Sequence, residues 1–164
     1  MLSPTIESAI NKQIRLEIES AYTYLAMSAW CESKNLSGFS AWLRVQWHEE
    51  LGHAMKLYKY LNDRGARTVF DGIEKPAVEY TSALAMFNAV LSHEQQVTVA
   101  INALYDLAIK ENDHASQIEL QWFIKEQVEE EKSAADIIHM LKTAGDSGLS
   151  LMMLDRQLGQ RAAK

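Results

Sequence analysis

The sequence predicts an all-α fold: four long helices packed as a bundle, a long crossover between the second and third, and a short fifth helix. Three observations carry this reading. Apolar residues recur at three- and four-residue steps through four long stretches, the spacing of one helix face. Only 2 prolines and 7 glycines stand among the 164 residues, so long helices can run uninterrupted. Capping and stop residues mark the boundaries of the stretches.

Taken in order, Ser3-Pro4 offers a capping hydroxyl followed by a proline at the first helical position. Ile6, Ile10, Ile14, Ile18, Ala21 and Leu25 then trace an amphipathic helix that ends near Asn35. Ser37-Gly38 opens a second helix with Leu43, Trp47, Ala54, Leu57 and Leu61 along one side. It stops at Asp63-Arg64-Gly65, where the glycine can take the left-handed cap conformation. Residues 66–80 lose the helical period and contain Gly72 and Pro76, which predicts an extended crossover. Ser82 caps a third helix with Leu84, Phe87, Leu91, Val97, Ile101, Leu104 and Ala108 on one face. Asn112-Asp113 ends it and caps a fourth carrying Leu120, Phe123, Ala134, Ile137 and Leu141. Gly145 and Gly148 close the fourth helix and begin a short fifth over roughly Leu149 to Leu158. Helices of about 30 residues are about 45 Å long, and a long connection lets the second and third run parallel. Residues 1–164 are read as one domain.

Composition narrows the function classes. A formal net charge of −6 without a basic cluster argues against a nucleic-acid surface. The single cysteine, Cys31, excludes an internal disulfide framework and any cysteine-based metal cage. The N-terminus shows no basic region followed by an apolar run, so no signal peptide is expected. Tyr80 to Tyr105 is the least charged stretch, but Asn88, His93, Gln95, Gln96 and Asn102 make it too polar for a membrane span. A soluble cytoplasmic protein is expected.

Each apolar stripe is interrupted by a carboxylate. Glu17 stands between Ile14 and Ala21, Glu50 between Trp47 and Ala54, and Glu94 between Leu91 and Val97. On the fourth stripe Gln127 and Glu130 lie between Phe123 and Ala134. One inward glutamate could be a neutral buried acid or could snorkel to solvent. Four of them, one per helix and with no Lys or Arg on the stripes, would each cost several kcal/mol unpaired. A bound cation resolves that cost. Spacing supports it: Glu17 to Glu50 and Glu94 to Gln127 are both steps of 33 residues (50 − 17 and 127 − 94). Each second member begins a three-residue step, Glu50 to His53 and Gln127 to Glu130, which puts both side chains on one helix face. Two facing hairpins with matching ligand arrangements predict a two-metal site inside a four-helix bundle. The first metal would have Glu17, Glu50 and His53, and the second Glu50, Glu94 and Glu130, with Glu50 bridging. Gln127 is either a weak neutral ligand or a hydrogen bonder to bound oxygen or water. Carboxylates with one imidazole suit Fe(II), Fe(III) and Mn(II).

At these residues the sequence resembles the bacterial non-haem ferritins, within the ferritin-like di-iron family. The similarity runs from Met1-Leu2 to the fifth helix. It includes Met27-Ser28-Ala29-Trp30-Cys31, Glu49-Glu50 with His53, His93-Glu94-Gln95, Gln121-Trp122, and Glu126-Gln127-Val128-Glu129-Glu130-Glu131-Lys132. The resemblance implies a hollow shell of twenty-four copies that oxidises Fe(II) with dioxygen and stores the ferric mineral inside. It implies a ferroxidase centre of Glu17, Glu50, His53, Glu94, Gln127 and Glu130. A third iron site would lie nearby at Glu49, Glu126 and Glu129, with Glu130 shared; a solvated acidic face is the other reading of those three.

Tyr24 lies two turns from Glu17 and matches the family tyrosine beside the iron centre. It could hydrogen-bond a ligand, donate an electron or simply pack, and Trp122 has similar standing. His48 and His93 adjoin ligands in sequence but turn to another face, so they are expected to be structural or exposed. The family's iron channel would be lined by Gln117, Glu119 and Gln121. Haem-binding relatives carry a methionine after the bridging glutamate and a histidine closing the second motif; Leu51 and Glu130 occupy those positions, so no haem is expected. The alternative function is a rubrerythrin-type di-iron peroxidase without storage, which would normally carry a Cys-x-x-Cys iron domain. A smaller DNA-protecting cage places its iron between subunits, whereas all four helices supply ligands here. A metal-free bundle acting as a binding module is the remaining alternative.

Overall fold

A computed structural model describes residues 2–161, so Met1, the first residue of the resemblance, lies outside the described residues. The chain forms α1 (Pro4–Ser33), α2 (Ser37–Asp63), α3 (Ala83–Lys110), α4 (His114–Ala144) and α5 (Gly148–Leu158). No described residue is in a strand. Five helices joined by one long irregular crossover match the sequence expectation to within a residue or two at each end.

Local chemistry sets the boundaries. Ser3, Ser82, Asp113 and Ser147 each accept a hydrogen bond from a backbone N–H in the first turn that follows. α1, α2 and α3 end in the same way, with Asn35, Gly65 and Asn112 at φ of 58°, 70° and 55°. In each case the next N–H turns back to a carbonyl five residues earlier: Leu36 to Cys31, Ala66 to Leu61, and Asp113 to Ala108. This is a Schellman stop, which satisfies carbonyls the helix end would otherwise leave bare. Glycine takes the left-handed conformation at no steric cost, and asparagine is among the few other residues that tolerate it.

α2 has no cap of its own, because Leu36 offers no side-chain acceptor. Asp155 of α5 supplies one: its Oδ1 accepts from the N–H groups of Gly38 at 2.8 Å and Phe39 at 2.9 Å. α5 lies so close that a Cβ on Gly38 would sit 1.6 Å from the Asp155 carbonyl oxygen. Gly38 is thus needed for close approach, not for a turn.

The core falls into two apolar clusters. One joins the end of α1 (Met27, Trp30, Cys31), the start of α2 (Phe39, Leu43), the start of α3 (Met86, Phe87, Val90), the end of α4 (Ile137, Leu141) and α5 (Leu154, Leu158). The other joins Ile6, Ile10 and Ile14 with Ala54, Leu57, Leu61, Ile101, Leu104, Leu120 and Phe123. Because α2 and α3 both begin in the first cluster and end in the second, they run parallel to each other and antiparallel to α1 and α4. The crossover makes this possible by returning the chain along α1. Asn11 donates to the Arg67 carbonyl and accepts from the Val69 N–H, while Arg15 reaches the Gly72 carbonyl.

Cys31 is fully buried, and burial pushes its thiol up to about 12, an inert core residue at neutral pH. Five stripe residues lie further out than predicted, and of these Trp47, Leu84 and Leu91 are half-buried. Leu25 is 38% exposed and Ile18 half-buried, because α1 turns that edge away from the bundle axis. None of the described helices is long and apolar enough to cross a membrane.

Candidate metal centre

Between the two apolar clusters lies a buried polar band. It contains Glu17 and Ser20 from α1, Gln46, Glu50 and His53 from α2, Glu94 from α3, and Gln127 and Glu130 from α4. The stripe interruptions seen in the sequence therefore meet at one level of the bundle. The two flanking clusters exclude water above and below, which raises the cost of every uncompensated charge there.

One group converges tightly. Ligand atoms of Glu17, Glu50 and His53 all lie within 4.8 Å of one another. His53 Nδ1 stands 3.4 Å from Glu50 Oε2 and 3.8 Å from Glu17 Oε2. Glu17 Oε1 accepts from Gln13 Nε2 at 2.8 Å. Its other oxygen, Oε2, is buried and accepts no hydrogen bond. A buried carboxylate oxygen left without a donor is costly unless a cation or proton occupies the space beside it. Glu17, Glu50 and His53 are thus suited to holding a hard or borderline ion.

Glu94 is held differently. Tyr24 donates its hydroxyl to Oε1, and Gln127 Nε2 approaches Oε2 at 3.2 Å and the Glu94 carbonyl at 3.2 Å. Tyr24 therefore touches a candidate ligand, which decides against a packing role alone. Gln127 spends its amide on Glu94. Both oxygens of Glu94 are thus hydrogen-bonded within the band. Among the described residues the second convergent group is His53, Glu126 and Glu130.

Burial dominates the protonation of the band. It raises the Glu50 carboxyl well above the usual range, reinforced by the carboxylates of Glu17 and Glu94 and opposed by His53. Burial also raises Glu94, with Tyr24 and Gln127 pulling the other way. Glu130 is pushed up to about 7 by burial and by Glu94. Burial disfavours charge on His53, but the carboxylates of Glu17 and Glu50 outweigh it and lift the imidazole to about 11. Tyr24 is raised well above its ordinary value, first by burial and then by Glu94. Burial thus favours the protonated form of Glu50, Glu94 and Glu130, as expected of clustered carboxylates in a dry site.

The outer residues are less uniform. Glu49 is half-buried; its Oε2 pairs with Arg161 at 2.6 Å, while Oε1 is buried with no hydrogen bond. Glu126 is half-buried, and Glu129 is exposed. Trp122 is 37% exposed, packs edge-on against His53 at 5.3 Å, and carries Lys56 Nζ 4.9 Å from its ring centroid. His48 is exposed beside Trp47. His93 is half-buried and shares a 2.6 Å hydrogen bond with Ser20. Of the three channel candidates, Gln117 bonds the Ala108 carbonyl, Glu119 pairs with Lys56, and Gln121 is exposed.

Sequence reasoning missed Gln13, Gln46 and Arg161. Gln46 Nε2 donates to Glu130 Oε2 at 2.8 Å, and its own Oε1 accepts from Arg161. A signal for the glutamines was present. Gln13 precedes Glu17 by one turn, Gln46 precedes Glu50 by one turn, and the two are again 33 residues apart (46 − 13). Nothing comparable pointed to Arg161, whose role depends on where α5 docks.

The family model of the ferritin-like domain matches residues 7–144, the whole bundle as far as the end of α4. The chain belongs to the ferritin family. Full-length relatives agree. A bacterial non-heme ferritin of Bacteroides fragilis is 40% identical over 161 residues, covering 98% of this chain and 100% of the relative. A probable bacterial non-heme ferritin-like protein of Haemophilus influenzae is 37% identical, covering 100% and 99%. Among solved structures, an open pore ferritin from Archaeoglobus fulgidus superposes with a TM-score of 0.98 at 44% identity, over 99% of this chain and 100% of that one. The family model stops short of α5, so the Asp155 cap on α2 and the Arg161 contacts lie beyond it.

Proposed function

We propose that this ferritin-family chain is an iron-storage subunit with ferroxidase activity. It takes Fe(II) as substrate, oxidises it to Fe(III) with dioxygen inside each subunit, and deposits ferric mineral within a shell of twenty-four copies. The observation that carries the reading is the convergence of Glu17, Glu50 and His53, with one buried Glu17 oxygen that accepts no hydrogen bond. The bacterial non-heme ferritin names of its full-length relatives support iron as the cargo.

In this reading Glu17, Glu50 and His53 hold the first Fe(II) ion. Glu130, with His53 and Glu126 beside it, offers the second position, and Glu94 joins once a cation competes with its hydrogen bonds. Glu50 is the bridging candidate. Binding a divalent ion competes with the protonation that burial favours at Glu50, Glu94 and Glu130. Tyr24 fixes Glu94 and stands close enough to supply a proton or an electron during oxygen reduction. The apolar layers on either side keep bulk water from the reacting ions. Glu49, Glu126 and Glu129 form the outer acidic group through which a third ion would pass. The domain is read as one unit, residues 1–164, working in the cytoplasm.

Aerobic Fe(II) oxidation followed by absorbance tests the chemistry. Wild-type protein should oxidise Fe(II) far above the buffer rate, and Glu50→Ala should fall to that rate. Equal rates for the two proteins would exclude this centre as the site of oxidation. Light scattering tests the storage half, since a monomer in solution has no interior to fill.

A further inference from the structure

α5 delivers a cation to the edge of the metal centre. Its Leu154 and Leu158 are buried in the core, and Asp155 fastens it to the start of α2. The chain then leaves α5 and turns, with the Arg161 N–H bonded to the Leu158 carbonyl at 3.2 Å. This puts the Arg161 guanidinium against α2, 4.6 Å from the Trp42 ring centroid. One nitrogen, Nη2, pairs with Glu49 Oε2 at 2.6 Å, and Nη1 donates to Gln46 Oε1. Gln46 in turn donates to Glu130. One side chain thus binds a candidate ligand directly and a second through a single glutamine.

We propose that Arg161 is a built-in counter-cation of the outer acidic group, with which a metal ion binding at Glu49 must compete for the charge of that carboxylate. The proposal rests on the metal-centre reading above. The Arg161 side chain is 21% exposed and that of Glu49 12%, so the pair is sheltered enough to matter yet close enough to solvent to exchange. Glu49 can serve both partners only at an electrostatic cost. Only Oε1 is left without a hydrogen bond, and an ion bound there would face a guanidinium across the same carboxylate. The arrangement offsets the charge of Glu49 and weakens its hold on an arriving ion. A purely structural ion pair would behave differently: removing it would weaken the fold and leave metal affinity unchanged or lower.

Zn(II) is a redox-inert probe, and calorimetric titration of the assembled metal-free protein reads its binding without any turnover. Arg161→Met keeps the apolar stem over Trp42, and Arg161→Gln keeps a donor for Gln46; both remove the charge. The weakest resolved class of Zn(II) sites should tighten at least tenfold in both variants. Adding Glu49→Gln to Arg161→Met should abolish that gain. Unchanged or weaker Zn(II) affinity in both neutral variants overturns the role of Arg161 while leaving the centre intact. Absence of tight Zn(II) binding in every protein, wild type included, overturns the metal-centre reading itself.

Discussion

Replacing Glu130 by glutamine should stabilise the metal-free protein at alkaline pH while impairing its binding of cations. Glu130 is 4% exposed, and its carboxyl is pushed up to about 7 from an ordinary value of 4.5. Below pH 4.5 the group is protonated in both folded and unfolded chains, so its contribution to stability is fully present. Between pH 4.5 and about 7 the unfolded chain loses this proton while the folded chain keeps it, and stability falls as pH rises. Beyond the folded value the loss is complete, at roughly 3 kcal/mol per subunit from 1.36 kcal/mol per pH unit. Glutamine does not titrate, and its carbonyl can still accept from Gln46. The advantage of Glu130→Gln over wild type should therefore be small at pH 5 and approach ~3 kcal/mol at pH 8. For a chain of this size that corresponds to a rise of roughly 6–12 °C in Tm. Thermal unfolding in the presence of a chelator at the two pH values measures it. A difference that does not grow between pH 5 and pH 8, or a variant less stable than wild type at pH 8, would refute the claim that a buried carboxyl is held protonated there.

Two further predictions address the supports of the site. Gly38→Ala forces a Cβ into the Asp155 carbonyl and should detach α5, costing the α2 cap and the burial of Leu154 and Leu158, at least ~2 kcal/mol. Hydrogen exchange would show it as lost protection in α5 and the first turn of α2, with the middle of the bundle unaffected. Tyr24→Phe removes the donor that holds Glu94 down, so the Glu94 carboxyl rises further. The pH at which Zn(II) binding is half-maximal should move upward, and an unchanged pH profile would show that Tyr24 does not govern Glu94.

Much of the candidate site is legible in the sequence because helices make their own periodicity visible. A side chain every 3.6 residues faces the core, so Glu17, Glu50, Glu94 and Glu130 stand out as acids where the stripe calls for apolar groups. Their burial follows from local spacing alone. Which atoms they touch does not. Glu94 reads in the sequence like the other three, but the structure gives both its oxygens to Tyr24 and Gln127. A second convergent group forms around His53, Glu126 and Glu130. Glu49 reads in the sequence as a third-site residue by resemblance or as part of a solvated acidic face, and neither reading includes the Arg161 that α5 brings beside it.

The sequence by itself determined five helices, their ends, the extended crossover, and the level of the bundle at which the carboxylates meet. These depend on hydrogen-bonding and burial preferences spanning only a few residues. Tertiary structure decided that Asp155 caps α2, that Gly38 must lack a side chain, and that Arg161 reaches the outer edge of the Glu49–Glu50 stretch. Each joins residues more than a hundred positions apart through a docking geometry that no local pattern encodes. The polar band was therefore foreseeable as a set of residues, whereas the cation already paired with it became visible only once α5 was in place.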